Sequence, residues 1–213
     1  MRETVSDHTP SPNDRPLPDL RRAMRTRRRE LPEPVRRHLS RRVIRRLTAL
    51  RQFRAARRIA CYLPNDGEVD LSLLIARLDR YGKRCFLPVL DTLRPRRLWF
   101  APYLPGDPLI NNRFGIPEPA CPARHRVPAW CLDLVLMPLV AFDDHGNRLG
   151  MGGGYYDRTL AFLQRRRHWK RPRLIGVGYE FQRLDSLPRR PWDIPLNGVV
   201  TDTRVRLFKE NAT

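Results

Sequence analysis

The chain has 213 residues, 41% of them hydrophobic, which is enough for one packed domain and too apolar for a disordered chain. Its 42 Lys and Arg against 22 Asp and Glu give a net charge of +20, and lysine occurs only at 83, 170 and 209, so the basicity is almost wholly arginine. No run reaches the roughly 20 apolar residues that cross a bilayer, the proline-rich start lacks the apolar core of a secretory signal, and four cysteines without a CxxC pair read as thiols of a reducing cytoplasm.

Residues 1–18, with four prolines, read as an irregular tail, 19–208 as a single domain and 209–213 as a C-terminal tail. Asp19 is placed to cap a first helix over 20–31, which stops at Pro32. A second helix carries Val35, Leu39, Val43, Leu47 and Leu50 as one apolar stripe. The arginines of both helices are expected to form a solvated face, their stems lying over apolar surface, with a few on the first helix doing more. Residues 59–63 predict a strand, 71–81 a helix with Leu71, Leu74, Ile75 and Leu78 inward, and 84–88 a parallel partner strand. A short strand over 98–101, antiparallel to its neighbour, precedes a proline-rich loop from 102 to 128. The apolar run 132–138 predicts a strand buried on both faces, and 174–178 and 198–201 complete the set. The alternation specifies an α/β layered sandwich with a mostly parallel central sheet flanked by helices, preceded by an N-terminal helical pair. Cys61 and Cys85 fall in core strands. Cys121, His125 and Cys131 lack the paired spacing of a structural zinc site.

Residues 146–158 hold five of the twelve glycines, two arginines and Asp157. Glycines admit positive φ and let amide N–H groups approach an anion, and a helix starting near Tyr155 would add its N-terminal dipole. The segment follows the strand over 132–138, at the sheet's carboxyl edge where open α/β folds bind ligands. It is neither a Walker A loop, which ends Gly-Lys-Ser/Thr, nor a dinucleotide fingerprint. The +20 field suits nucleic acid, nucleotide phosphates or a polycarboxylate, and charge does not choose among them. An arginine-rich nucleic-acid-binding protein and another phosphoryl-transfer enzyme remain as alternatives, although no nucleic-acid-binding motif is present and the arginines are dispersed around both helices.

Three segments in order, Asn65-Asp66-Gly67-Glu68-Val69-Asp70, then Asn112-Arg113-Phe114-Gly115-Ile116-Pro117-Glu118-Pro119, then Asp133 through Arg158, resemble the signature segments of the 5-formyltetrahydrofolate cyclo-ligase family. The resemblance runs from about Leu20 to about Val205. It implies an ATP-dependent, Mg²⁺-requiring α/β enzyme that converts 5-formyltetrahydrofolate to 5,10-methenyltetrahydrofolate, ADP and phosphate. It implies ATP contacts at Arg21, Arg25, Arg148, Leu149, Gly150, Met151, Gly152, Gly153, Gly154, Tyr155 and Tyr156, with Arg148 and Tyr155 catalytic. The reduced folate, with or without a polyglutamate tail, would meet Leu63, Glu68, Met151, Gly152, Gly153, Gly154 and Tyr155. Phe114, Pro117, Glu118 and Trp99 are further candidates for that side, and Asp157 is the implied Mg²⁺ ligand. Leu17 stands where members often carry a lysine, and Asn197 where many have a further metal-binding aspartate. A monomer without membrane or nucleic-acid partners is expected.

Overall fold

The computed structural model describes residues 16–166 and 171–208. Apart from residues 16–18, the two predicted tails lie outside these. A seven-stranded sheet runs in the order β11 (Val205–Leu207), β10 (Gly198–Val200), β9 (Arg173–Val177), β6 (Leu134–Pro138), β1 (Arg58–Ala60), β2 (Arg84–Leu90), β3 (Leu98–Pro102). The five inner strands are parallel, and β3 and β11 close the edges antiparallel. The layered sandwich with a mostly parallel sheet is therefore as the apolar runs specified. Leu134, Val135, Leu136 and Met137 are all at most 1% exposed. Each such side chain contributes about 1.5–3 kcal/mol of burial, which explains the unbroken apolar run in β6.

Alternate strand residues feed two cores. On one face, Ile59, Leu134, Leu136 and Ile175 meet Val43 and Leu47 of α2 (Glu33–Ala49), Phe53 of α3 (Arg51–Ala55) and Leu74 of α4 (Ser72–Ile75). On the other, Phe86, Phe100, Val135 and Val199 meet Phe142, Leu160 and Ile194. The helix predicted over 71–81 is broken into α4 and a 3₁₀ turn at Asp79–Tyr81, yet Leu71, Leu74, Ile75 and Leu78 all point inward as their spacing required.

Three differences shape the site. The first helix, α1, runs Leu17–Glu30, so Pro18 occupies its first turn. Asp19 lies inside that turn, bonded to Arg22 at 2.7 Å, and caps nothing. Second, the predicted loop 102–128 contains a hairpin, β4 (Leu109–Asn111) with β5 (Pro117–Pro119), and a second hairpin, β7 (Ala141–Phe142) with β8 (Arg148–Leu149), lies between β6 and the glycine segment. Third, the helix after the glycines is short: α5 (Tyr155–Leu160) is followed by the separate turn α6 (Phe162–Arg165). A small third core of Leu20, Val140, Ala141, Leu149, Leu184 and Leu187 seats α1 on the β7–β8 hairpin. This packing brings the N-terminal helix to the glycine segment.

Candidate active site

The β7–β8 hairpin is fixed by a buried carboxylate. Asp143, fully excluded from solvent, accepts the amides of His145 at 3.0 Å and Asn147 at 2.9 Å on Oδ1, and Asn147 Nδ2 at 2.8 Å and the Leu187 amide at 2.9 Å on Oδ2. Four donors compensate the lost hydration of the charge. The hairpin then delivers the chain to a loop at 150–154, where Gly152 (φ +95°) and Gly154 (φ +66°) adopt backbone shapes that L side chains resist. Two of its carbonyls are held by arginine: Arg21 Nε donates to Gly150 O at 2.9 Å and Arg158 Nη1 to Gly153 O at 2.9 Å. Among the described residues, none of the five amide N–H groups from 150 to 154 donates to another protein group. With those carbonyls occupied and the amides free, the loop presents donors to an anion. Because α5 has only six residues, the dipole expected from the sequence is a minor part of this. Burial, with the nearby charge of Arg190, lowers the Arg21 guanidinium, whose Cζ would stand 3.6 Å from a Cβ on Gly152.

At the far end of the loop Arg148 and Asp157 pair. Arg148 Nη2 lies 2.5 Å from Asp157 Oδ1, its Nη1 donates to the Ile194 carbonyl, and the Ile194 amide donates back to Asp157 Oδ1 at 3.2 Å. The backbone of Ile194 thus clamps both residues. Asp157 Oδ2 accepts no hydrogen bond among the described residues, and the side chain is 25% exposed, so one hard oxygen remains for a cation. Asn197 is elsewhere engaged: its Oδ1 accepts the Leu174 amide of the inner strand β9 at 2.8 Å. No group of three or more His, Cys, Asp or Glu able to hold a metal occurs among the described residues, so Cys121, His125 and Cys131 form no such cluster.

Beyond the C-terminal end of β1, the loop 63–70 carries Glu68 against α1. Desolvation by burial raises the Glu68 carboxyl to about 7, with Arg28 opposing. Glu68 Oε2 accepts the Asn65 amide at 3.2 Å, and Tyr62 and Tyr156 lie within its electrostatic reach. Leu63 is partly buried against the adjoining core. Tyr156 links the two halves, because its hydroxyl, raised mainly by burial, also feels Glu68 and Arg148. Arg25, an implied ATP contact, bonds Asp66 Oδ2 at 2.6 Å. The expectation that the arginines of α1 form a solvated face fails most clearly at Arg28, which is fully buried. Arg21 and Arg25 also turn toward the protein, while Arg22 remains outside.

The β4–β5 hairpin closes a third side. Arg113 donates to the Tyr155 hydroxyl at 2.8 Å, and the Phe114 ring meets Tyr155 edge to face at 6.0 Å. Glu118 is structural: its Oε1 accepts the Leu90 amide at 3.0 Å and Asn112 Nδ2 at 2.7 Å, while Pro117 lies in β5 and Trp99 pairs with Val89 on the edge of the sheet. Leu149 points into the small core under α1, leaving only its backbone beside the loop, and Met151 is exposed. The structure thus brings Arg21, Arg148, residues 150–154, Tyr155, Tyr156 and Asp157 to one loop system, with Glu68 behind Tyr156.

A family model described as the 5-formyltetrahydrofolate cyclo-ligase family matches residues 15–202. A 5-formyltetrahydrofolate cyclo-ligase of Escherichia coli strain K12 is 40% identical over 182 residues, covering 85% of this chain and 98% of the relative. One from Mycolicibacterium smegmatis is 31% identical over 188 residues, covering 87% and 93%. The solved structure of Aquifex aeolicus 5,10-methenyltetrahydrofolate synthetase is similar at a TM-score of 0.76 and 35% identity, over 92% of this chain and 95% of that one. With the fold, the glycine loop and both ends of the match in agreement, the chain belongs to the 5-formyltetrahydrofolate cyclo-ligase family.

Proposed function

We propose that the enzyme converts 5-formyltetrahydrofolate to 5,10-methenyltetrahydrofolate at this site with ATP and Mg²⁺, and that the free amides of residues 150–154 receive the triphosphate. The row of unpaired N–H groups beside Arg21 and Arg148 is the observation that carries this reading. An N-formyl carbon is a poor electrophile and its oxygen a poor leaving group. Transfer of the γ-phosphoryl group to that oxygen activates it, attack by the 10-position nitrogen closes the ring, and the oxygen departs with phosphate. Such a transfer depends on positioning and on compensating spread negative charge. Arg148 supplies charge beside the loop, and its pairing to Asp157 and Ile194 fixes its direction before substrate arrives. Tyr155, oriented by Arg113 and Phe114, borders the folate side.

Asp157 would hold Mg²⁺ through Oδ2, and a magnesium ion bound there supplies shielding of phosphate oxygens. Glu68 with its free Oε1 suits the donor edge of a pterin, which presents two N–H groups to one carboxylate. Leu63 would form an apolar wall there. Mixing the protein with 5-formyltetrahydrofolate, ATP and Mg²⁺ and following the near-ultraviolet absorbance of the methenyl product tests the reading. An ATP-dependent rise is expected, and a flat trace refutes it.

A further inference from the structure

Arg28 is a fully buried arginine in a chain whose other basic side chains largely face water, and the reaction as described makes no use of it. Its guanidinium joins three separate segments. Nε donates to Asp66 O at 3.1 Å, Nη2 to Asp66 Oδ2 at 3.0 Å, and Nη1 to Leu139 O at 3.0 Å. The same Nη1 stands 3.6 Å from Glu68 Oε1, close enough for strong attraction and too far for a hydrogen bond. Glu68 Oε2 is occupied by the Asn65 amide, and Oε1 accepts no hydrogen bond among the described residues. The arrangement supplies Glu68 with a countercharge while leaving the oxygen that faces it unsatisfied. Direct pairing would have filled that acceptor.

The loop geometry supports the same conclusion. Asp66 (φ +51°) and Gly67 (φ +74°) both sit in the left-handed region, and a Cβ on Gly67 would stand 2.9 Å from the Arg28 carbonyl. The loop therefore crosses directly over α1 at Arg28. Asp66 itself is bonded by Arg25 and Arg28 and lies 3.3 Å from Arg29 Nη1. Lysine at this position would keep the countercharge to Glu68, although a single ammonium cannot bond the Asp66 and Leu139 carbonyls together as the fork does.

We propose that Arg28 is the positioning residue for Glu68, holding its carboxylate ionised and its Oε1 open for a hydrogen-bond donor of the folate. This rests on the reading of Glu68 as a folate ligand. The charged and titratable groups facing Glu68 are Arg28 and Arg25 from α1, Asp66 from its own loop, Tyr62 after β1 and Tyr156 from α5, and the Tyr179 hydroxyl donates to the Glu68 carbonyl at 3.4 Å. Arg28 is the strongest of these in favour of the ionised form, against a burial that alone would protonate the acid.

The test is the KM for 5-formyltetrahydrofolate and for ATP at pH 7 and pH 9 in wild type, R28Q, R28K, E68Q and the R28Q/E68Q double variant, with thermal melts as a check of folding. With the Glu68 carboxyl raised to about 7, its ionised fraction changes steeply around neutral pH. A further rise of one unit or more on losing Arg28 cuts the ionised fraction about five-fold or more. R28Q should raise the folate KM by about that factor at pH 7 and recover most of it at pH 9, with the ATP KM unchanged. R28K keeps the charge and should keep the wild-type ratio between the two pH values. The double variant should resemble E68Q alone, because Arg28 acts through Glu68. A folate KM in R28Q that is unmoved, or raised equally at both pH values, or matched by the ATP KM, overturns the proposal. If R28Q does not fold, an R28K ratio well above wild type does the same. An E68Q variant with a wild-type folate KM would instead remove the folate reading of Glu68, and the proposal with it.

Discussion

Substituting Gly152 by alanine isolates the backbone shape of the glycine loop from everything else about it. Gly152 has φ +95°, and a Cβ there would meet Arg21 Cζ at 3.6 Å, an ordinary contact, so space is available and conformation alone is opposed. Holding alanine in the left-handed region costs about 1–2 kcal/mol. Because the residue is exposed and outside every core cluster, the loop can escape that cost by relaxing, and the melting temperature should fall by less than about 4 °C. Binding the triphosphate would then require returning the loop to its original shape. The penalty reappears as a rise of about 5–30-fold in the ATP KM. Steady-state rates of methenyl formation with ATP varied at saturating folate measure it. Gly106 provides a matched control, with φ +100° and nothing within 4 Å of a Cβ. G106A should cost similar stability and leave the ATP KM unchanged. An ATP KM for G152A within two-fold of wild type would refute the assignment of the loop amides to the nucleotide.

Asp157→Asn should raise the Mg²⁺ concentration for half-maximal rate by at least about ten-fold, and a wild-type magnesium titration would contradict that role. If Glu68 receives the pterin as proposed, the folate kcat/KM of the wild type should rise with pH through about 7, because the Glu68 carboxyl is raised and only its ionised form would accept both donors. E68Q should lose that step, and an identical profile in E68Q would assign the ionisation elsewhere. Burial works against the charge of Glu180, yet hydrogen bonds from Arg206 at 2.5 Å and from Thr201 bring its carboxyl down to about 2 from an unfolded value of 4.5. Its stabilisation is complete above 4.5 and is lost as the pH falls through about 2. With the side chain 28% exposed, E180Q should lose about 1–2 kcal/mol at neutral pH. Denaturant midpoints should show that gap narrowing near pH 2; a constant gap would mean that packing, not charge, is responsible.

What could be read from the sequence depended on whether a residue's role is set by its neighbours in the chain. The run through Leu134 and Met137 declared a buried strand, because burial on both faces leaves no position for a polar side chain. The stripe of Leu71, Leu74, Ile75 and Leu78 declared its inward face even though the helix itself is broken. The glycines around Gly152 likewise marked a loop of unusual backbone. Asp143 was invisible as an anchor, since the Leu187 amide that completes its set of donors lies 44 residues away. The two-residue strands it supports are too short to produce a period. Arg28 could not be separated from Arg27 and Arg29, because what distinguishes it is a partner loop at Asp66 and a carbonyl at Leu139. Ile194 carried no local signal either, because its contact with Arg148 and Asp157 is made by its backbone and is wholly tertiary.

The bond from Arg21 to Gly150 spans 129 residues, and α1 rests on a hairpin of equally distant sequence. As the polypeptide leaves the ribosome, the first helix emerges early and waits for most of the protein to be made before its docking surface exists. Its arginines can meanwhile settle on Asp66, which is synthesised much sooner. Assembly of the glycine loop is accordingly a late event in biogenesis, slow for the same reason that other long-range closures are slow. A ribosome stalled before residue 150 would hold a chain with α1 and Asp66 made, but without Leu184 and Leu187 of the small core that seats α1 on the hairpin.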